Sequence, residues 1–188
     1  MTVTTPHIRK VPSAAWTVDD LDDLPDDGYR YEIFDGSLLV SPPAAMPHIA
    51  ATVLLRDALH AQAPAHFKMI EGVGVFPDQR NFYIPDLVVA HVEVLKSRDR
   101  GIKPTDVLLA IEVVSPSNPS NDLFIKRKVY AQFDIPEYWV VDRRDLSLLV
   151  FRLADGSEYD LAAKVHPGDR WQSDWPFPLS IDPDQIFT

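Results

Sequence analysis

Residues 108–114 read Leu-Leu-Ala-Ile-Glu-Val-Val, an apolar run with one carboxylate near its centre. The turn-forming stretch Ser115-Pro116-Ser117-Asn118-Pro119-Ser120-Asn121 follows it. A short apolar, β-branched run closed by turn chemistry predicts a buried strand. Burying the Glu112 carboxylate there without a partner costs several kcal/mol. Any fold this chain adopts must therefore bring a cation, a proton or a metal ion to Glu112.

Side chains alternate along a strand, so Leu108, Ala110, Glu112 and Val114 share one face and Leu109, Ile111 and Val113 the other. An earlier run, Tyr83-Ile84-Pro85-Asp86-Leu87-Val88-Val89-Ala90, reads as a second apolar strand with proline near its start, where proline is tolerated. Ile84, Asp86, Val88 and Ala90 lie together on it. If the two strands are neighbours, about 4.8 Å apart, Asp86 and Glu112 point to one side at similar height. Two such carboxylates repel, and a shared proton or a cation resolves the repulsion. Mg²⁺, with Mn²⁺ as its substitute, suits hard oxygen ligands of this kind and activates water and phosphoryl groups. Asp86 and Glu112 are thus the candidate metal ligands.

After the turn, a helix is predicted from about residue 121 to Gln132. Asp122, Lys126 and Tyr130 stack along one side of it at a spacing of four. Lys126 can lean over the carboxylates and position or deprotonate an attacking water. Lys128 lies about 200° further round, so only one of the two lysines serves that side. The plainer alternative is a set of salt bridges, in which Asp86 and Glu112 pair with Arg30, Lys126 or a loop arginine.

Elsewhere, Thr17 followed by Asp19 and Asp20 predicts a capped, acid-rich helix start ended by Pro25. Asp35-Gly36 between strand-like runs predicts a tight hairpin. A helix is expected from Pro47 to about Gln62 with Ile49, Val53, Leu54 and Ala58 on one side. Further strands are expected at Phe67–Ile70, Val73–Phe76, Tyr138–Val141, Leu146–Arg152 and Tyr159–Ala163. The order is strands with two main helices, an α/β or α+β domain with a mixed sheet. Residues 1–15 read as a flexible arm, and 16–188 as a single domain. Tyr130, Tyr138 and Trp139 read as core, and Asp142 as a turn residue.

These residues together resemble the Uma-two family of restriction endonucleases, placed in the PD-(D/E)XK nuclease superfamily. The resemblance rests on Pro85-Asp86, Glu112 in IEVVSPSN, Asp122-x-x-x-Lys126-x-x-x-Tyr130 and PEYWVVD at 136–142. It extends to LDDLPDDGYRYEIFDGSLLVSPP with His48 beyond it, and spans roughly residues 16–153. It implies a restriction-endonuclease-like core, a mixed β-sheet flanked by helices, and Mg²⁺-dependent hydrolysis of DNA phosphodiester bonds. Asp86, Glu112 and Lys126 are then the catalytic residues, with Glu32 and His48 as supporting residues behind the metal. One departure stands out: the superfamily lysine lies two residues after the second acid, where this chain has Val114. The resemblance implies that Lys126 supplies the ammonium from the helix.

The net charge of -10 argues against broad nucleic-acid affinity, since long-range repulsion opposes a phosphate backbone. A local rim of Arg98, Arg100, Lys103, Arg127, Arg143 and Arg144 would have to overcome it. That balance and the displaced lysine keep a rival open, a catalytically degraded nuclease-fold protein with a binding or regulatory role. The chain has no cysteine, which excludes thiolate chemistry and fits a reducing cytoplasm. No apolar run approaches a membrane span and no signal peptide is evident, so a cytoplasmic protein is expected. A homodimer is the expected assembly if the DNA site is two-fold symmetric.

Overall fold

The computed structural model describes residues 15–114, 121–154 and 158–187, with the side chains of all but 121–123. The arm expected over residues 1–15, except residue 15, lies outside the described residues. So does the turn at 115–120.

A mixed six-stranded sheet carries the domain, and the α+β class with helices on both faces is as the sequence predicts. Its order is β11-β10-β9-β8-β6-β3, built from β3 (Phe67–Glu71), β6 (Leu87–His91), β8 (Val107–Val113), β9 (Glu137–Asp142), β10 (Ser147–Leu153) and β11 (Tyr159–Val165). β8 and β9 run parallel, and the other neighbours are antiparallel. A second sheet, β2-β1-β5-β4-β7, joins β1 (Arg30–Phe34), β2 (Ser37–Ser41), β4 (Gly74–Asp78), β5 (Asn81–Tyr83) and β7 (Gly101–Ile102). The β1–β2 hairpin turns on Asp35 and Gly36, both at positive φ (46° and 76°), the conformation an Asp-Gly turn is suited to. β4 and β7 approach so closely that a Cβ on Gly101 would sit 2.0 Å from the Gly74 carbonyl oxygen.

The predicted single strand over 83–90 is two strands in different sheets. β5 ends at Tyr83 and β6 begins at Leu87, so Ile84-Pro85-Asp86 is the crossing between them. Proline cannot donate to a ladder, and the chain leaves one sheet for the other where it stands. Asp86 therefore sits at the mouth of β6, one residue before the strand begins.

Two apolar layers hold the sheet. On one face α1 (Met46–His60) packs Ala51, Leu55 and Leu59 against Leu87, Val89, Leu109, Ile111, Val113, Trp139 and Val141. The expected helix face of Ile49, Val53, Leu54 and Ala58 is corrected here. Ala51, Thr52, Leu55 and Leu59 are the buried set, Ile49 is exposed, and Ala58 only flanks the core. A ribbon that the sequence patterns did not reveal, β12 (Trp171–Ser173) with β13 (Leu179–Ile181), closes this side. The Gln62 amide clamps it to α1, accepting from Ser180 N at 2.7 Å and donating to Ser180 O at 3.0 Å.

On the opposite face lies α2 (Arg127–Gln132), preceded by a π-helical segment, Asn121–Lys126. Tyr130 packs there against Val88, Ala90, Ala110, Val114, Tyr138 and Val140. Short 3-10 turns occupy Val92–Lys96 and Pro104–Asp106. No described helix is long and apolar enough to cross a membrane.

Candidate active site

Register brings the two acids together. In the antiparallel β6–β8 pairing, Leu87 lies opposite Ile111 and Val88 opposite Ala110. Continued by one residue, the same register sets Asp86 opposite Glu112, and the Val113 N–H donates to Asp86 Oδ2 at 2.9 Å. Val88 and Ala110, in step with the two acids, pack under α2. Both carboxylates therefore open on that face of the sheet, and each is 2 % exposed.

Glu112 Oε1 accepts a hydrogen bond from Lys126 Nζ at 2.7 Å and another from the Tyr130 hydroxyl at 2.9 Å. Lys126 is itself buried, while Lys128 is exposed, so Lys126 is the lysine on the site's side of the helix. The side chain of Asp122 lies outside the described ones. Glu32, from β1, stands 3.0 Å from Lys126 Nζ through Oε1, which also accepts the Ile84 N–H at 2.8 Å. One ammonium is thus shared by two buried carboxylates from different sheets, and Glu32 also anchors the crossing that carries Asp86.

Asp86 has its own cations. Its Oδ1 pairs with the Arg30 guanidinium and lies 3.0 Å from His48 Nε2, in the first turn of α1. The His48 contact lacks the alignment of a formed hydrogen bond. Burial opposes charge on Asp86, but the close His48 ring, with the charges of His48, Arg30 and Lys126, outweighs it and holds the carboxyl well below the usual carboxylate range. A depressed folded value means that stability from Asp86 is fully present above the unfolded value, near 3.9, and is lost as pH falls below it. Asp86→Asn is accordingly expected to flatten the acid limb of a stability curve, read by urea denaturation at successive pH values from about 7 to 3.

The sequence-predicted residues Asp86, Glu112, Lys126, Glu32 and His48 thus fall in one cluster. Sequence reasoning treats Arg30 only as a salt-bridge partner and Tyr130 only as core. Both are part of the cluster. Their signals were spacing alone: Arg30 is two residues before Glu32 on one strand, and Tyr130 is four after Lys126 on one helix. The proposed cationic rim is largely engaged elsewhere. Arg100 pairs with Asp22 and Arg144 with Asp142, Lys103 covers Phe76, and Arg127 covers Phe124 and Phe151.

The residues that could hold a divalent cation are Asp86, just before β6, and Glu112 on the neighbouring strand β8, both hard oxygen donors. Among the described residues no group of three or more His, Asp and Glu gathers to hold a metal ion.

The family model of Uma2, described as "Putative restriction endonuclease", matches residues 18–183 of this chain. Among solved structures the chain is similar to a protein from Anabaena variabilis ATCC 29413, titled a putative nuclease belonging to DUF820. The TM-score is 0.66 at 16% identity, over 91% of this chain and 97% of that one, a likeness of fold. No curated protein matches.

Proposed function

This chain belongs to the Uma2 family, and from that membership we propose that it is a Mg²⁺-dependent endonuclease hydrolysing DNA phosphodiester bonds. The observation that carries the reading is the convergence of Asp86 and Glu112 on one face of the sheet, with the Lys126 ammonium 2.7 Å from Glu112. Asp86 and Glu112 would hold the cation. When bound, the cation withdraws charge from the phosphodiester and makes water a better nucleophile.

The chain's own residues do the rest. Lys126, held between Glu112 and Glu32, orients the attacking water by donating to it, because an ammonium has no lone pair to take a proton. Tyr130 fixes the Glu112 carboxylate by donating to Oε1. Glu32 keeps Lys126 and the Ile84 backbone in place. Arg30 pairs with the Asp86 carboxylate, and the His48 ring lies beside the same oxygen. Lys126 thus stands in for the lysine that Val114 replaces, reaching the second acid from the helix.

A second reading is favoured by one observation: each of the three carboxylates already contacts a cation of the chain. On that reading the cluster is structural and the domain binds a partner without cutting. Purified protein incubated with plasmid or single-stranded DNA in Mg²⁺ or Mn²⁺ separates the two. Cleavage is expected, and Asp86→Ala and Glu112→Ala should each lower it by on the order of a hundredfold or more, since a metal's charge stabilisation is worth several kcal/mol. No cleavage with any divalent ion, and no ion bound in calorimetry, would leave the non-catalytic reading standing.

A further inference from the structure

The cluster's cations differ in their access to solution. Lys126 is 5 % exposed and His48 14 %, whereas the Arg30 side chain is 34 % exposed while still pairing with Asp86 Oδ1. Of these three cations, Arg30 is the one most open to solvent. Its planar guanidinium offers several donors, and the Asp86 contact engages Nη1, so the group is suited to a second, bidentate oxyanion.

We propose that Arg30 is the phosphate-binding residue of this site, held on Asp86 until a divalent cation takes that carboxylate and frees the guanidinium for a phosphodiester oxyanion. The proposal rests on the reading of Asp86 as a metal ligand. Charge counting gives the order of events. Glu32, Asp86 and Glu112 carry three negative charges against two positive ones on Arg30 and Lys126, before His48 is counted. That balance offers an anion no net attraction. Adding a divalent cation makes it positive, and Arg30 then faces the phosphate with its charge no longer matched by Asp86. Arg30 and Glu32 share a face of β1, so the residue that meets substrate and the residue that seats Lys126 move as one strand.

The test reads binding, with no metal present, by fluorescence anisotropy of a labelled oligonucleotide in EDTA. Inorganic phosphate serves as competitor, to separate a site for any phosphate from one for the polymer. Asp86→Asn removes the charge that holds Arg30 and is expected to bind the oligonucleotide about tenfold or more tighter than the parent, the worth of one charge-assisted bond. Adding Arg30→Ala should abolish that gain, while Arg30→Lys should keep part of it by keeping the charge without the planar fork. A gain that survives Arg30→Ala would overturn the proposal, because simple loss of negative charge would then explain it. Thermal melts of each variant confirm that a folded protein is measured. Absence of DNA cleavage leaves this binding result readable, so a failed nuclease reading and a failed Arg30 role give different outcomes.

Discussion

Lys126→Met is expected to destabilise the protein by about 3–5 kcal/mol, the usual cost of removing one partner from a buried ion pair. Both of its carboxylate partners are buried, Glu32 at 4 % exposure and Glu112 at 2 %. Without the ammonium, two negative groups are left facing one another where water cannot reach them. One of them must take a proton, so its folded pKa rises above the unfolded value. A raised carboxyl value costs stability above it, and the deficit of Lys126→Met should therefore shrink as pH is lowered through that range. Adding Glu32→Gln should restore part of the lost stability at neutral pH, while cleavage stays absent in both variants. Lys128→Ala, on the exposed side, should fall within about 0.5 kcal/mol of the parent. Urea denaturation at pH 5 and pH 8 reads all four proteins. Equal losses at Lys126 and Lys128 would show that the buried pairing contributes nothing.

Much of this arrangement was legible because strand alternation is a rigid rule. Alternation grouped Asp86 with Val88 and Glu112 with Ala110 and Val114, and the β6–β8 pairing turned both groups to the α2 face, while the spacing of four put Lys126 and Tyr130 on one helix side. What the sequence could not convey was decided by tertiary contacts. In α1, apolar residues occur on several sides, and Ala51, Leu55 and Leu59 satisfy helical spacing as well as Ile49, Val53 and Leu54 do. The sheet chose the former set. The run 83–90 reads as one strand on hydrophobicity, yet Pro85 divides it between sheets. Three-residue strands such as β12 and β13 are too short to carry a period. Tyr130 read as core because its ring is core; its hydroxyl belongs to the site.

The overall acidity bears on how such a site meets DNA. Arg100 and Arg144 are paired with acids, and Lys103 and Arg127 lie over aromatic rings. A continuous basic surface would give a steep salt dependence and broad affinity. Under the proposed function, attraction centred on the cation site and Arg30 would instead make binding depend on the divalent ion.

The opposite face of the sheet holds another buried carboxylate, and Trp139→Phe exposes its dependence on one donor. Glu137 is 1 % exposed, and its Oε1 accepts from Trp139 Nε1 at 2.9 Å. Arg152 Nε lies 3.7 Å from Oε2, which has no hydrogen bond in the described structure. Burial raises the Glu137 carboxyl above its ordinary value, although Trp139 and Arg152 both work to lower it. A raised value gives the slope opposite to that of Asp86. Stability from this group is greatest at low pH and falls as pH climbs from about 4.3 through the folded value. Removing the indole N–H from a fully buried position should cost about 2–4 kcal/mol at neutral pH, combining the lost bond to a charged group with the small cavity. It should also carry the falling limb to higher pH. In a Glu137→Gln background the same substitution should cost less and the slope should vanish, because a neutral amide has no charge to strand. Denaturation of the four proteins across pH 4.5–8 decides it. If Trp139→Phe costs as much beside Gln as beside Glu, the indole acts by volume alone and the hydrogen bond to Glu137 contributes nothing.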